Sequence, residues 1–249
     1  MADEIRLSTD GAIGRIAIDR PAKKNALTTG MYAVMAEALE AYAGDDAVRA
    51  VTISGGADFT AGNDLQDFIM ASMGGASFAD LPVLRFLERL QAFEKPIVAA
   101  VRGVAVGIGT TMLLHCDAVV AGRSARFRLP FAQLGLVPEA GSSMLLPLTV
   151  GRARASWLLL GGDFFGADDA LAMGLLTKVT PDEQAEATAH EMAGKLAELP
   201  PTALRETKRL MKSHWAAAVK AQMAEEAAAF EARLTSDEFR AAAMKLMTK

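Results

Sequence analysis

Apolar and polar residues alternate with two different periods along the first half of the chain. Residues 5–7 and 13–18 are strand-like and flank Thr9-Asp10-Gly11, which predicts a hairpin. Apolar residues recur at helical spacing from residue 29 to about 43, after a cap at Thr28 or Thr29. Further strands are predicted at residues 49–54, 97–101, 118–121 and 125–127, and further helices at 64–70, 81–93 and 107–115. This alternation predicts an α/β fold with parallel strands and right-handed crossovers.

The pattern is nearly all helical beyond Gly141. Helices are predicted at residues 142–149, 152–160, 167–173 and 182–198. The segment from Thr202 onward follows Pro200-Pro201 and carries an apolar face that needs cover. We therefore expect a core of residues 1–199 and a C-terminal helical oligomerisation region of residues 200–249. That region packs back on the core or, as we favour, onto another subunit.

Composition and charge restrict the possible partners. Hydrophobic residues make up 51% of the 249 residues and charged residues 22%, so an extensive buried core is expected. A net charge of −4 argues against nucleic acid as a partner. Arg102, Asp117 and Arg123 interrupt the longest apolar stretch, so no run reaches the ~18 residues of a membrane span. We expect neither nucleic acid nor a membrane to be a partner.

Cysteine and histidine usage bears on compartment and metal binding. Cys116 is the single cysteine, so no intramolecular disulfide can form. The start of the chain, Met1-Ala2-Asp3-Glu4, is acidic and lacks the regions of a signal peptide. Both observations favour a reducing cytoplasm. The histidines (His115, His190 and His214) have no zinc-binding partner at i+3 to i+5, so we expect no metal.

Two glycine-containing turns each follow a strand and lead into a helix. They are Phe59–Leu65, with the small residues Ala61 and Gly62, and Val104–Gly109. Such turns can aim main-chain N–H groups at a common point, where these groups stabilise an oxyanion. The alternative for the first turn is a tight strand–helix connection without a ligand. The second turn lacks the spacing of a phosphate loop and the later acid of a dinucleotide site, so we reject a nicotinamide cofactor.

Glu139 is the candidate acid. It lies between Pro138 and Ala140-Gly141, and its apolar neighbours favour a raised pKa and a general base. The alternative is a first-turn acid that complements the dipole of the following helix. Ser142 and Ser143 lack a nucleophile elbow, which argues against a serine hydrolase. The turns and the acid together suit proton abstraction next to a carbonyl.

These motifs resemble the crotonase (enoyl-CoA hydratase/isomerase) superfamily from about Ile16 to Val179. The matching segments are Arg20–Leu27, Phe59–Leu65, Lys95–Gly103, Cys116-Asp117 and Ala170–Leu176. The resemblance implies a spiral of ββα units, a C-terminal helical region, and a homotrimer or dimer of trimers. It also implies an acyl-CoA thioester as substrate, with CoA part of the substrate and no separate cofactor. The N–H groups of Ala61 and Ile108 are implied as the oxyanion hole.

Departures from the family pattern bear on the reaction. The two glutamates that hydratases of this family use fall here at Thr111 and Phe131. Pro138-Glu139 followed by Ser142-Ser143 instead resembles peroxisomal-type Δ3,Δ2-enoyl-CoA isomerases, in which this glutamate is the catalytic base. The resemblance therefore implies movement of a proton from C2 to C4 through an enolate. The alternatives are an enoyl-CoA hydratase of fatty-acid or aromatic-acid degradation, another enzyme of the superfamily, or a non-catalytic CoA-thioester-binding scaffold.

Substrate contacts follow from the same resemblance. Lys23, Lys24 and Asn25 are expected at the CoA entrance, although a solvated basic loop is the alternative. The other expected contacts are Leu27, Asn63, Asp64, Leu65, Gly107, Phe131, Leu136 and Pro138. Phe68, Met70 and Met73, with Phe131 and Leu136, are expected to line an acyl pocket or to belong to the core. Asp64 and Asp67 are interpreted as acids at a helix start, and the alternative for Asp64 is that it assists catalysis.

Overall fold

Two β-sheets form the centre of the molecule in the computed structural model, which describes residues 4–67, Met70 and 81–247. The strands are β1 Ile5–Asp10, β2 Ile13–Ile18, β3 Ala50–Ser54, β4 Ile97–Val101, β5 Val104–Val106, β6 Ala118–Gly122, β7 Arg126–Arg128, β8 Phe165–Gly166 and β9 Lys178–Thr180. The larger sheet has the order β1-β2-β3-β4-β6-β9 and is parallel apart from the β1–β2 hairpin. The smaller sheet has the order β5-β7-β8.

From β4 to β7 the chain alternates between the two sheets, so that one strand lies in the larger sheet and the next in the smaller one. Strand β4 is followed by β5, and β6 by β7, which gives the ββα repeat that the resemblance implied. The corner between β4 and β5 requires glycine, because a Cβ on Gly103 (φ +56°) would lie 2.3 Å from the Ala57 carbonyl oxygen. The predicted α/β fold is confirmed. Strands β5, β8 and β9 were not predicted, because two or three residues are too few to show a period.

Ten α-helices that lie wholly within the described ranges surround the sheets. They are α1 Thr29–Gly44, α2 Pro82–Ala92, α3 Ile108–Thr111, α4 Ser142–Val150, α5 Arg152–Gly161, α6 Ala167–Ala172, α7 Ala185–Ala197, α8 Pro201–Ser213, α9 Ala216–Leu234 and α10 Asp237–Met247. Of the two predicted caps, Thr28 is the one that caps α1. The helix predicted at 107–115 is instead one turn of α-helix followed by the 3-10 helix Met112–His115. The helix predicted at 64–70 is described only for Leu65–Asp67 and Met70.

The larger sheet is buried on both faces. On one face Val51, Ile53 and Val101 join the main core with α1 and α2. On the other face Ala50, Val98, Ala100, Ala118 and Val120 pack against Ala185, Ala189 and Ala193 of α7. Small residues on both sides let this helix lie close to the strands. Burial on both faces explains why these strands read as continuous apolar runs.

The C-terminal helices pack on the core of their own chain. Lys208 of α8 is buried and forms an ion pair of 2.6 Å with Asp117, and its ammonium also donates to the Lys95 carbonyl oxygen. Phe230 and Leu234 of α9 and Phe239 of α10 are buried in the main core. Packing on the core, one of the two expected arrangements, is therefore observed. The trimer, the boundary at residue 200 and the cytoplasmic location remain predictions.

The remaining expectations concern a membrane and a metal. No helix within residues 4–67 and 81–247 has both the length and the apolar character needed to cross a bilayer. In the same part of the chain, no group of three or more His, Cys, Asp or Glu side chains is arranged to hold a metal ion. The thiol of Cys116 is free, and burial raises its pKa to about 12, so it is a poor nucleophile.

Candidate active site

The two glycine-containing turns meet at the edge of the smaller sheet. Thr60 forms a parallel bridge with Ala105, and Asn63 forms one with Leu27. A Cβ on Gly62 (φ +94°) would lie 2.8 Å from the Val106 carbonyl oxygen, so only glycine allows this approach. A Cβ on Gly109 would likewise lie 2.7 Å from Cγ2 of Thr60. The sequence prediction that both turns converge on one point therefore agrees with the geometry.

Among the main-chain N–H groups of the two turns that have no acceptor in the described part of the chain are those of Asn63 and Ile108. Gly107, with φ +56°, turns the chain so that Ile108 begins α3 with its N–H unpaired. The N–H of Ala61 is different, because it donates to the Lys24 carbonyl oxygen at 2.9 Å. Ala61 as an oxyanion donor is therefore wrong. Since Gly62 turns the chain between them, it is the N–H of Asn63 that lacks an acceptor, and Asn63 lines the same cavity as Ile108.

A cavity of about 400 Å³ contains this pair of donors. Its walls include both turns, the segment after β7 and the last two helices. Of the residues expected at the site, the cavity brings together Ala61, Asn63, Leu65, Gly107, Ile108, Phe131 and Leu136. Arg128, Gln133, Phe230 and Lys245 line it as well and were not foreseen. Most of the wall is apolar, as suits a pocket for an acyl chain.

Glu139 lies in a tight turn that leads into α4. Ala140 (φ +61°) and Gly141 (φ +69°) are both left-handed, which reverses the chain directly after the acid. The Thr111 hydroxyl donates to Oε1 of Glu139 at 2.5 Å. The residue as a whole is only partly buried, but Oε2 is closed off from solvent and has no hydrogen-bond partner. An unpartnered buried carboxylate oxygen is costly and marks a candidate functional group.

The environment of Glu139 raises its pKa to about 8. Burial is the largest cause, because it disfavours the charged form. The hydrogen bond from Thr111 acts in the opposite direction, and the negative charge of Glu226 adds to the rise. A carboxyl group with such a pKa can both accept and return a proton near neutrality, as predicted from its apolar neighbours.

Glu139 borders a second, small cavity of about 30 Å³. Its other walls are mainly apolar side chains of α2 and α9, including Leu87, Met223 and Ala227. Asn63 and Phe230 line both this cavity and the larger one. Asn63, which carries one of the two N–H donors, therefore lies in the wall of both cavities.

The alternative interpretation of Glu139, as the acid that complements the dipole of α4, does not fit the geometry. Glu226 occupies that position instead, because its carboxylate accepts hydrogen bonds from the N–H groups of Gly141 and Ser143. Sequence reasoning missed Glu226. The signal is its place on one face of α9, at helical spacing with Val219, Met223 and Phe230.

Several expected substrate contacts lie outside both cavities. Asn25 is buried, and its amide group donates to the carbonyl oxygens of Gly55 and Asp58 at 2.6 Å, so it holds the loop rather than a ligand. Leu27 is a core residue. Asp64 pairs with Arg20 at 2.7 Å and accepts from the N–H groups of residues 66 and 67, which agrees with an acid at a helix start.

Other members of the expected set are not in the described walls of either cavity. Lys23 and Lys24 are exposed, and neither they nor Pro138 belong to the described lining of the two cavities. Met70 is 75% exposed and therefore not part of an enclosed pocket. Phe68 and Met73 lie outside the described residues. Asp67 accepts from the N–H and hydroxyl of Thr29, so it helps to begin α1 rather than its own helix.

Comparison with known proteins agrees with this fold. The family model described as "Enoyl-CoA hydratase/isomerase" matches residues 8–248. The chain therefore belongs to the enoyl-CoA hydratase/isomerase (crotonase) family, as the resemblance predicted. A solved structure of an enoyl-CoA hydratase/isomerase from Pseudoalteromonas atlantica T6c superposes with a TM-score of 0.93 at 42% identity, over 99% of this chain and 97% of that one.

Curated relatives include both isomerases and hydratases. Enoyl-CoA delta isomerase 2 of Rattus norvegicus is 37% identical over 98% of this chain, which spans only 63% of that relative's length. The 2,3-dehydroadipyl-CoA hydratase of Escherichia coli K12 is 35% identical over 90% of this chain and 87% of the hydratase's length. Identities this similar leave the choice between isomerase and hydratase to the chemistry of the site.

Proposed function

We propose that this protein is a Δ3,Δ2-enoyl-CoA isomerase acting on an acyl-CoA thioester. One observation carries the proposal: Glu139 is the sole carboxylate among the described residues that line the two cavities. Isomerisation requires one group that removes a proton and returns it. Hydration by the family's route requires two acids, and their positions hold Thr111 and Phe131.

The first step is removal of a C2 proton from the 3-enoyl thioester by Oε2 of Glu139. The C–H electron pair moves toward the carbonyl, and the negative charge collects on the thioester oxygen. The N–H groups of Asn63 and Ile108 are the proposed donors to that oxygen. One such donor contributes ~3 kcal/mol to stabilisation of the charged intermediate.

The second step returns the proton from Glu139 to C4, and the double bond shifts to the conjugated position between C2 and C3. No atom is gained or lost, and the carboxylate is regenerated. A positioned acid–base group contributes about 10²–10⁴ in rate. The walls of the small cavity beside Glu139 are mainly apolar, which disfavours entry of water and so favours return of the proton over hydration.

Two substrates distinguish this proposal from its alternatives. The purified protein is given a 3-enoyl-CoA and, separately, a 2-enoyl-CoA. Conversion of the first to the conjugated thioester, with hydration of the second at least about 10²-fold slower, supports the isomerase. Rapid formation of 3-hydroxyacyl-CoA from the second substrate overturns the isomerase in favour of a hydratase. Binding of both thioesters without turnover overturns it in favour of a scaffold.

A further inference from the structure

Glu226 connects the C-terminal helices to the segment that carries the candidate base. It is 5% exposed, and its carboxylate accepts from the N–H of Gly141 at 2.6 Å and the N–H of Ser143 at 2.9 Å. The hydroxyl of Ser143 donates to the same carboxylate. Three donors on one carboxyl group is the pattern of an ionised acid. All three donors lie within four residues of Glu139.

The helix that carries Glu226 also closes the cavity of Glu139. Met223, Ala227 and Phe230 of α9 form part of that cavity's wall and flank Glu226 on the same helix. The position of this wall relative to Glu139 therefore depends on how α9 is held against residues 141–143. Within the described part of the chain, the hydrogen bonds between side chains of α9 and residues 141–143 are those of Glu226.

We infer that Glu226 is a positioning residue, which holds the segment bearing Glu139 against α9 so that the base and the helix close one cavity. The inference rests on the proposed function, in which Glu139 moves the proton. Glu226 does not reach the two cavities itself, so it acts through Glu139 rather than on the substrate.

Charge provides a readout that a purely structural contact would not move. Glu226 raises the pKa of Glu139, although less than burial does. The other titratable groups around the pair are Glu225 on α9 and Tyr32 on α1. Burial raises the pKa of Glu226, the hydrogen bonds from Ser143 and Gly141 lower it, and the charge of Glu225 adds to the rise. Burial also raises the pKa of Tyr32, and the charge of Glu139 adds to that rise. His115 donates to the Ala140 carbonyl oxygen and stays neutral, since burial lowers its pKa to about 4. Loss of the Glu226 charge should therefore lower the pKa of Glu139.

The test compares Glu226→Gln with Glu225→Gln, the same change at the adjacent exposed position of the helix. For Glu226→Gln we expect kcat with a 3-enoyl-CoA to fall about 10-fold while KM changes less than about 3-fold. The acid limb of the pH profile should also move to lower pH. Glu225→Gln should behave as wild type. If Glu226→Gln does not fold, Ser143→Ala removes one donor from the same contact and should lower kcat about 3-fold.

An NMR titration of the Glu139 carboxyl carbon, assigned with Glu139→Gln, follows the charge effect without turnover. A lower pKa of Glu139 in Glu226→Gln supports the inference even if wild-type protein does not isomerise the substrate, in which case only the proposed function fails. Wild-type kcat and an unchanged titration in Glu226→Gln overturn the inference while the isomerase stands. A fall in kcat with an unchanged titration also overturns it, because the charge of Glu226 then has no effect on Glu139 and the contact is purely structural.

Discussion

The hydroxyl of Thr111 donates to Oε1 of Glu139 at 2.5 Å, while Oε2 of the same carboxylate has no partner. The resemblance to the family's hydratases places their first glutamate at Thr111. This chain has a hydroxyl donor at that position, and the donor holds the carboxylate of Glu139. This pairing fixes which oxygen of Glu139 is free for chemistry.

Replacing Thr111 with valine should make Glu139 a base only at higher pH. The hydroxyl favours the charged form of Glu139, so its loss raises the pKa of that carboxyl above about 8. In Thr111→Val, kcat/KM at pH 7 should fall by about 10-fold or more and recover partly as the pH rises. Steady-state kinetics over a pH series measure this.

The matched control is Thr110→Val. Thr110 is equally buried, but its hydroxyl donates to the Ala105 carbonyl oxygen rather than to Glu139. The profile of Thr110→Val should keep the wild-type midpoint. A Thr111→Val profile with the wild-type midpoint would show that the Thr111 hydroxyl does not lower the pKa of Glu139.

The raised pKa of Glu139 also predicts a pH dependence of stability. The unfolded chain loses this proton near pH 4.5 and the folded chain near pH 8, so ionisation opposes folding between these values. The neutral form of Glu139 stabilises the folded protein fully at low pH, and this stabilisation declines as the pH rises toward 8. The loss is on the order of 3 kcal/mol between pH 5 and pH 8.

Glu139→Gln should remove that decline, because glutamine does not ionise. The measurement is the free energy of unfolding by denaturant at pH 5 and pH 8 for both proteins. The variant should gain stability relative to wild type at pH 8. Parallel curves for the two proteins would contradict the burial of the Glu139 carboxylate.

Gly62 should be intolerant of any side chain. A Cβ there would lie 2.8 Å from the Val106 carbonyl oxygen and would push the two turns apart, which separates the N–H groups of Asn63 and Ile108. Gly62→Ala should lower kcat/KM by about 10²-fold, the cost of about one oxyanion donor. Gly56→Ala is the control, since Gly56 is also left-handed (φ +66°) but has open space around it. Equal losses in both variants would assign the effect to backbone strain alone.

The ion pair between Lys208 and Asp117 should hold the C-terminal helices on the core. Lys208→Met leaves the Asp117 carboxylate without its cation and should lower the free energy of unfolding by about 3 kcal/mol. Lys195→Met removes an exposed pair with Glu191 and should match wild type within error. Equal denaturation curves for all three proteins would show that the buried pair does not hold α8.

Much of the site was predictable because its parts are local in sequence. The glycines of each turn, the N–H of Ile108 and the acid after Pro138 lie within short segments whose conformation those residues dictate. The choice between Ala61 and Asn63 was not predictable, because it depends on which N–H pairs with the distant Lys24 carbonyl oxygen.

Long-range contacts account for the other misses. Glu226 lies 83 residues from Ser143 in sequence, so only the packing of α9 brings it to the base. Asn25 is adjacent to two lysines and was expected at an entrance, yet it bonds to loop carbonyls 30 or more residues away. The short strands β5, β8 and β9 are likewise formed by tertiary pairing rather than by a local pattern.

The central claim is that Glu139 alone moves the proton. Conversion of a 3-enoyl-CoA to its 2-enoyl isomer by wild type and by Glu139→Gln tests it most directly, with circular dichroism to confirm that the variant is folded. We predict a loss of kcat of ~10²-fold or more in Glu139→Gln. Wild-type kcat in a folded Glu139→Gln variant would contradict the claim.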